Sequence, residues 1–258
     1  MPTSLTLSDH LAGLRAAVSA FAAHADRAGL EAEVPTCPEW TVRRLLAHQG
    51  MVHRWAAASL RGERVEAEAF EREGMDHPDP IGWLRAGAEG VVAAIEAADD
   101  DVRTIVFLND APPPRRFWAR RQCHETTMHA VDALSASLGR RPRAADTWID
   151  PLLARDGIDE LLGGFLTRNH SRLRCEDPTT VLVVPTDADE SWRLDVSLRP
   201  AVTTRRTSAR EAGDDEADVV LRAPSVALYL ALWNRSDEVE ATPDLADLWR
   251  SQSTVTWS

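Results

Sequence analysis

Two stretches of this chain hold most of its reactive side chains, FWARRQCHETTMHAVDA and CPEWTVRRLLAHQGMVHRWA. The first carries His124, Glu125, His129 and Asp132 in the spacing H-E-x-x-x-H-x-x-D. A helix turns about 100° per residue, so His124 and His129, five apart, diverge by about 140°. Glu125 and His129, four apart, fall within about 40° of each other on one face. A helix here therefore offers one cation a carboxylate and an imidazole, but not two imidazoles. That separates it from the H-E-x-x-H pattern of zinc metalloproteases. The same stripe carries Trp118, Gln122, Met128 and Asp132, and Asp132 lies one turn beyond His129. Its carboxylate is spaced to accept a hydrogen bond from the second imidazole nitrogen and so fix the tautomer. An ordinary exposed i,i+4 pair has the same spacing, so this helix alone does not make a site.

The second stretch adds a partner. Its apolar line runs Leu45, His48, Val52, Trp55, which puts His48 on the core-facing side. His53 falls about 140° away from it. A lone histidine on an apolar face is commonly a satisfied core residue. Two helices that each send an imidazole inward, one adding a carboxylate, instead supply the ligands of a divalent metal. Two imidazoles and one carboxylate leave a coordination position open, as in catalytic zinc. Nickel and iron suit the same mixed nitrogen and oxygen ligands.

Other chemistry is weaker. Cys123 precedes His124, but adjacent helical residues diverge by about 100°, so they make no catalytic pair. The three cysteines, Cys37, Cys123 and Cys175, lie far apart and read as reduced, structural thiols. No P-loop, G-x-G-x-x-G or G-x-S-x-G occurs, which removes simple nucleotide-binding and serine-hydrolase readings. The nine tryptophans read mainly as packing, with one or two lining a pocket.

Four helices are expected to position these residues. The first follows an N-cap at Ser8–Asp9 and closes at Gly29; the second begins after Pro38. A polar loop, RGERVEAEAFEREGMDHPDP, leads to the third, over 81–98. The run TIVFLND and the non-helical triplet 112–114 precede the fourth, over 115–138, which ends at Gly139. Helices of this length with modest connections read as an antiparallel bundle. From about residue 145 the pattern changes. An apolar helix over 149–166, containing Gly163–Gly164, leads into strands at TTVLVVP, SWRLDVSL, a Thr- and Arg-rich segment near 201–209, and ADVVLRAP. An acidic turn, EAGDDEAD, precedes the last strand. The helix PSVALYLALWNR, a short helix over 243–250 and a terminal strand STVTW complete an α+β domain with an antiparallel sheet.

The 258 residues are 44% hydrophobic and 27% charged, as in a globular protein. A net charge of −12 argues against a general nucleic-acid partner, because phosphate neutralisation needs clustered cations. All 29 basic residues are arginine, and with abundant alanine this reads as coding bias rather than arginine chemistry. No stretch reaches the roughly 18 apolar residues of a membrane helix, so no membrane partner is expected. The opening MPTSLTLSDHLAGLRAAVSAF is interrupted by Asp9, His10 and Arg15 and lacks a basic leader. No secretory signal, and so a cytoplasmic location, is the expectation.

On those residues a resemblance becomes specific. CPEWTVRRLLAHQGMVHRWA and FWARRQCHETTMHAVDA resemble the two signature stretches of the mycothiol-dependent maleylpyruvate isomerase family, a branch of the DinB-like metal-binding bundles. His48 matches its W-T-V-x-x-L-x-x-H context, and Glu125 and His129 its H-E-x-x-x-H-x-x-D context. ADVVLRAPSVALYLALWNR resembles, more loosely, the family's C-terminal domain. The resemblance implies a two-domain α+β protein, a DinB-like antiparallel four-helix bundle over 1–143 followed by a small α+β domain over 144–258. It implies a divalent metal, zinc first and nickel or iron next, held by His48, Glu125 and His129. It implies mycothiol as thiol cosubstrate, a small electrophilic substrate, and an assisting C-terminal arginine, matched best by Arg235 with Arg222 as rival. The expected function is a metal- and mycothiol-dependent isomerase or S-transferase in a monomer or homodimer. The alternatives are a hydrolase of this fold using metal-bound water, and a non-catalytic metal- or ligand-binding protein.

Overall fold

The computed structural model describes residues 4–207, 217–240 and 243–253, with side chains of the last segment from 247 onward. These fall into two compact units. One comprises Leu5–Val106 and Pro112–Pro142; the other takes Phe107–Ala111 and the described part of Arg143–Ser258.

The first unit is helical. Helix α1 (Leu7–Ala28) is capped by Thr6, whose hydroxyl accepts from the Asp9 amide while the Asp9 carboxylate accepts from the Thr6 amide. This reciprocal cap starts the helix earlier than the Ser8–Asp9 cap expected from sequence, because Asp9 serves as the third helical residue. Strands β1 (Glu33–Val34) and β2 (Cys37–Thr41) pair antiparallel, so residues 38–41 are extended. Helix α2 (Val42–Leu60) therefore begins later than expected, capped by the Thr41 hydroxyl. The expected polar loop contains a further helix, α3 (Ala67–Asp76), making five helices where sequence suggested four. Helix α4 (Pro80–Ala97) starts from an Asp79 cap, and α5 (Pro114–Leu138) ends at Gly139 in left-handed geometry (φ 66°). Pro114, expected outside the helix, occupies its first position, where a missing N–H costs nothing. TIVFLND forms no regular element; its last residues belong to the other unit.

Helix α1 packs along α5, and α2 along α3 and α4. The α2–α4 contact is close because Gly50 faces the Trp83 ring: a Cβ built there would lie 2.0 Å from a ring carbon. Arg54 stacks 3.6 Å over the same ring and donates to the Gly50 and Trp83 carbonyls. Helix α5 is buried on almost every face from Phe117 to Ser135, as the central helix of the unit.

In the second unit, α6 (Pro151–Asp159) widens into a π-helical turn (Glu160–Phe165) at Gly163–Gly164. The carbonyl of Leu162 there accepts from Thr203 and that of Gly164 from the Asn109 amide. Strands β3 (Thr179–Pro185), β4 (Ser191–Val196), β5 (Val202–Arg206) and β6 (Val219–Ala223) form one sheet in the order β5-β4-β3-β6. Two pairings are antiparallel, but β3 and β6 run parallel, so the sheet is mixed rather than wholly antiparallel. The five consecutive buried residues of β3 agree with this, since a strand covered on both faces suits a parallel neighbour. Helices α7 (Ser225–Leu232) and α8 (Pro243–Gln252) follow. Most of the expected acidic turn and terminal strand lie outside the described residues. No helix among the described residues is long and apolar enough to cross a membrane.

Candidate metal centre

Helix α2 supplies His48, and α5 supplies Glu125 and His129 from successive turns of one face. Their ligand atoms all lie within 4.8 Å of one another. Nε2 of His129 is 3.3 Å from Oε1 of Glu125, and Nε2 of His48 is 4.0 Å from that same oxygen. The side chains are 13%, 8% and 10% exposed for His48, Glu125 and His129, so the cluster is nearly buried yet reachable.

Each ligand is oriented from behind. Nδ1–H of His129 donates to Oδ2 of Asp132 at 3.0 Å, which leaves Nε2 facing Glu125. Asp132 is itself fixed by the Thr36 hydroxyl, which donates to Oδ1 at 2.6 Å from the turn between β1 and β2. Arg121, fully buried one turn before Glu125, donates to its Oε2 at 2.8 Å and so leaves Oε1 turned to the two imidazoles. Trp40 covers the histidines: its ring stacks on His129 (6.1 Å, 13° between planes) and meets His48 at an edge (4.9 Å).

The electrostatics favour a positive charge at this point. Burial opposes the charged form of His129, but hydrogen bonds with Asp132 and Glu125 outweigh it and raise its pKa to about 9. Burial also opposes ionisation of Glu125, and the charges of Arg121 and His129 outweigh it, bringing the carboxyl to about 2. Burial, reinforced by the His129 charge, pulls His48 down to about 4. The cluster thus holds an ionised Glu125 beside the His129 imidazolium, with His48 neutral. A divalent cation replacing that proton would meet a neutral imidazole on each side and the Glu125 carboxylate. The Asp132 carboxylate would stand behind one imidazole, as metal-bound histidines commonly require. The residues fit a divalent metal.

Other sequence-selected residues sit elsewhere. His124 turns away from the triad and meets the edge of the His10 ring on α1 (6.1 Å). His53, expected off the core-facing line, is fully buried, with its Nε2 2.9 Å from the Thr126 hydroxyl. Gln49 donates to that hydroxyl too, at 3.1 Å. The buried arc of α2 is therefore wider than its aliphatic stripe suggests. Arg235 and Arg222 lie in the second unit. The Arg235 amide closes the turn after α7 onto Leu230, and its Nη1 donates to the Trp233 carbonyl. Arg222 is exposed on β6. Sequence reasoning missed Arg121 and Thr36. The i,i+4 spacing of Arg121 to Glu125 was a usable signal; Thr36, remote from Asp132 in sequence, offered none.

Comparison with known families finds two matches. The model described as mycothiol maleylpyruvate isomerase N-terminal domain matches residues 11–134, and the MDMPI C-terminal domain model matches 152–250. Two solved structures share the fold. The crystal structure of the mycothiol-dependent maleylpyruvate isomerase superposes with a TM-score of 0.61 at 16% identity, covering 94% of this chain and 96% of that one. A histidine-to-alanine mutant of that enzyme gives 0.62 at 15% identity, with the same coverage. No curated protein matches the chain by sequence.

Proposed function

Because the chain belongs to the mycothiol maleylpyruvate isomerase family, with both of its domain models matched, we propose that it is a divalent-metal enzyme using mycothiol on a small electrophilic molecule, as an isomerase or S-transferase. The observation that carries this reading is the triad itself: His48, Glu125 and His129, with ligand atoms within 4.8 Å and a buried carboxylate behind His129. These three would hold the cation, zinc in the first instance. A bound divalent cation supplies Lewis acidity that lowers the pKa of a thiol brought to it, so the nucleophile is available near neutral pH.

The chain's own groups do the rest by positioning. Asp132 keeps the His129 proton on Nδ1 and the Nε2 lone pair directed into the site. Arg121 balances the Glu125 charge and holds its second oxygen. Trp40 shields both imidazoles from water. The thiol sulfur then adds to one carbon of an activated double bond. The resulting single bond rotates, and expulsion of the same thiolate restores the double bond with the other geometry. In a transferase the carbon–sulfur bond persists. Arg235, assigned on the family resemblance, would hold a substrate carboxylate through paired N–H donors. Arg235→Met should then lower turnover at least tenfold at unchanged metal content.

The test is thiol dependence. Purified protein is assayed with maleylpyruvate and with electrophiles that form stable thioethers, with and without mycothiol. Conversion or adduct formation only when mycothiol is present supports the proposal. Turnover without any low-molecular-weight thiol would replace it with metal-assisted hydrolysis.

A further inference from the structure

Beside the triad, the interface between α2 and α5 is polar where a bundle core is ordinarily aliphatic. Gln49 and His53 on α2, and Gln122 and Thr126 on α5, are all fully buried. Each pair is four residues apart, so its two side chains sit on adjacent turns of one helical face. Thr126 is the centre of this layer. Its hydroxyl accepts from Gln49 Nε2 at 3.1 Å and lies 2.9 Å from His53 Nε2. Those contacts leave both carboxamides incompletely bonded. Gln49 Oε1, Gln122 Oε1 and Gln122 Nε2 have no hydrogen-bond partner among the described residues.

A buried donor or acceptor without a partner is costly, and native interiors rarely keep several together. Where they do, ordered water ordinarily completes the bonding, with about three hydrogen bonds to each molecule. The chemistry of this layer suits water better than an ion. Gln49, Gln122 and Thr126 carry no charge, and burial keeps His53 neutral, with a pKa of about 3. The layer is also tied to the triad through the chain. Gln49 follows His48, and Gln122 and Thr126 lie on either side of Glu125. A link between the two carboxamides therefore joins α2 to α5 next to the point where His48 meets Glu125, 4.0 Å away.

We propose that Gln49 and Gln122 bind ordered water inside the α2–α5 interface, and that this water bridges the two helices that carry the triad. Water donates to Oε1 of each carboxamide and accepts from Nε2–H of Gln122. Gln122 is then a positioning residue: it sets the approach of α2 to α5 without touching a cation. That positioning role rests on the metal reading above; the water site does not.

A high-resolution crystal structure of the wild-type protein tests the site directly. Water is expected within about 3.2 Å of Gln49 Oε1 and of both Gln122 amide atoms. A dry layer, or protein groups bonded to both carboxamides, overturns the site. In solution, Gln122→Leu is compared with wild type after circular dichroism has verified its fold. Oxygen-17 water relaxation dispersion on chelator-treated protein should show at least one fewer long-lived internal water in the variant, and its urea midpoint should fall. In a dry layer leucine would only remove unpaired polar atoms, so an equal water count with a raised midpoint also overturns the site. Zinc affinity should drop at least fivefold in the variant; equal affinity after loss of the water overturns the positioning role. A wild-type protein that holds the water but takes up no zinc keeps the water site and removes the metal reading instead.

Discussion

Asp132 is the side chain on which the geometry of the triad turns, although it touches no ligand position itself. Fully buried and held by Thr36, it fixes both the tautomer and the ring orientation of His129. Replacing such an outer carboxylate commonly costs about 10–100-fold in metal affinity. Asp132→Asn should therefore weaken zinc binding by that margin, measured by competition against a chromophoric chelator; unchanged affinity would mean that the hydrogen bond does not tune the site. His53 gives a separate, pH-dependent expectation. Burial, aided by the Arg54 charge, lowers its pKa from 6.5 to about 3. The unfolded chain then binds a proton through this window that the folded chain refuses, so stability is full above 6.5 and falls as pH drops towards 3. In chelator-treated protein, urea unfolding at pH 7.5 and pH 5 should show a smaller acid loss for His53→Gln than for wild type. Equal losses would contradict the buried neutral ring. At this scale helix arithmetic made the Glu125–His129 pair and the role of Asp132 legible. It could not reach Thr36, Trp40 or the burial of His53, which depend on how other elements fold against α2 and α5.

Elements are positioned in this bundle by glycine as much as by aliphatic packing. Gly50 and Gly74 both abut the Trp83 ring, and a Cβ at either would intrude on it. Overpacking of this kind typically costs about 1–3 kcal/mol. Gly50→Ala should destabilise the protein by at least that amount in chemical denaturation, and it would disturb α2 two residues from His48. Gly90, exposed within α4, has nothing within 4 Å of its Cβ direction. There an alanine should stabilise by about 0.5–1 kcal/mol through helix propensity alone. Opposite signs at two helical glycines would support the packing; similar effects would not. Helices α1, α4 and α5 were legible because their long apolar periods are punctuated: Gly29 closes α1, Pro80 opens α4 and Gly139 closes α5. Helix α3 was not: it is short, half charged and lacks a side-chain cap, so its helicity comes from docking on α2 and α4. The β1–β2 hairpin was hidden for a similar reason, since one of its strands is two residues long.

For the whole molecule, all three proposed ligands come from the helical unit, so a fragment over 1–143 should keep a helical spectrum and its metal. Loss of metal from a folded fragment would show that the remaining residues are needed to complete the site. The class of the second unit, helices with a small sheet, was legible from the change to β-branched runs after residue 145. Its mixed topology was not, because the parallel pairing of β3 with β6 joins residues nearly forty positions apart and leaves no mark in either strand's local pattern. Two distant helices are proposed to hold one divalent cation between them. Elemental analysis of purified wild type beside His48→Ala, Glu125→Ala and His129→Ala tests it most directly. About one equivalent of metal per chain is expected in wild type, and its loss from all three variants, each still folded. Wild type purified without metal and unable to take it up, or variants that retain it, would rule out a cation held by these three side chains.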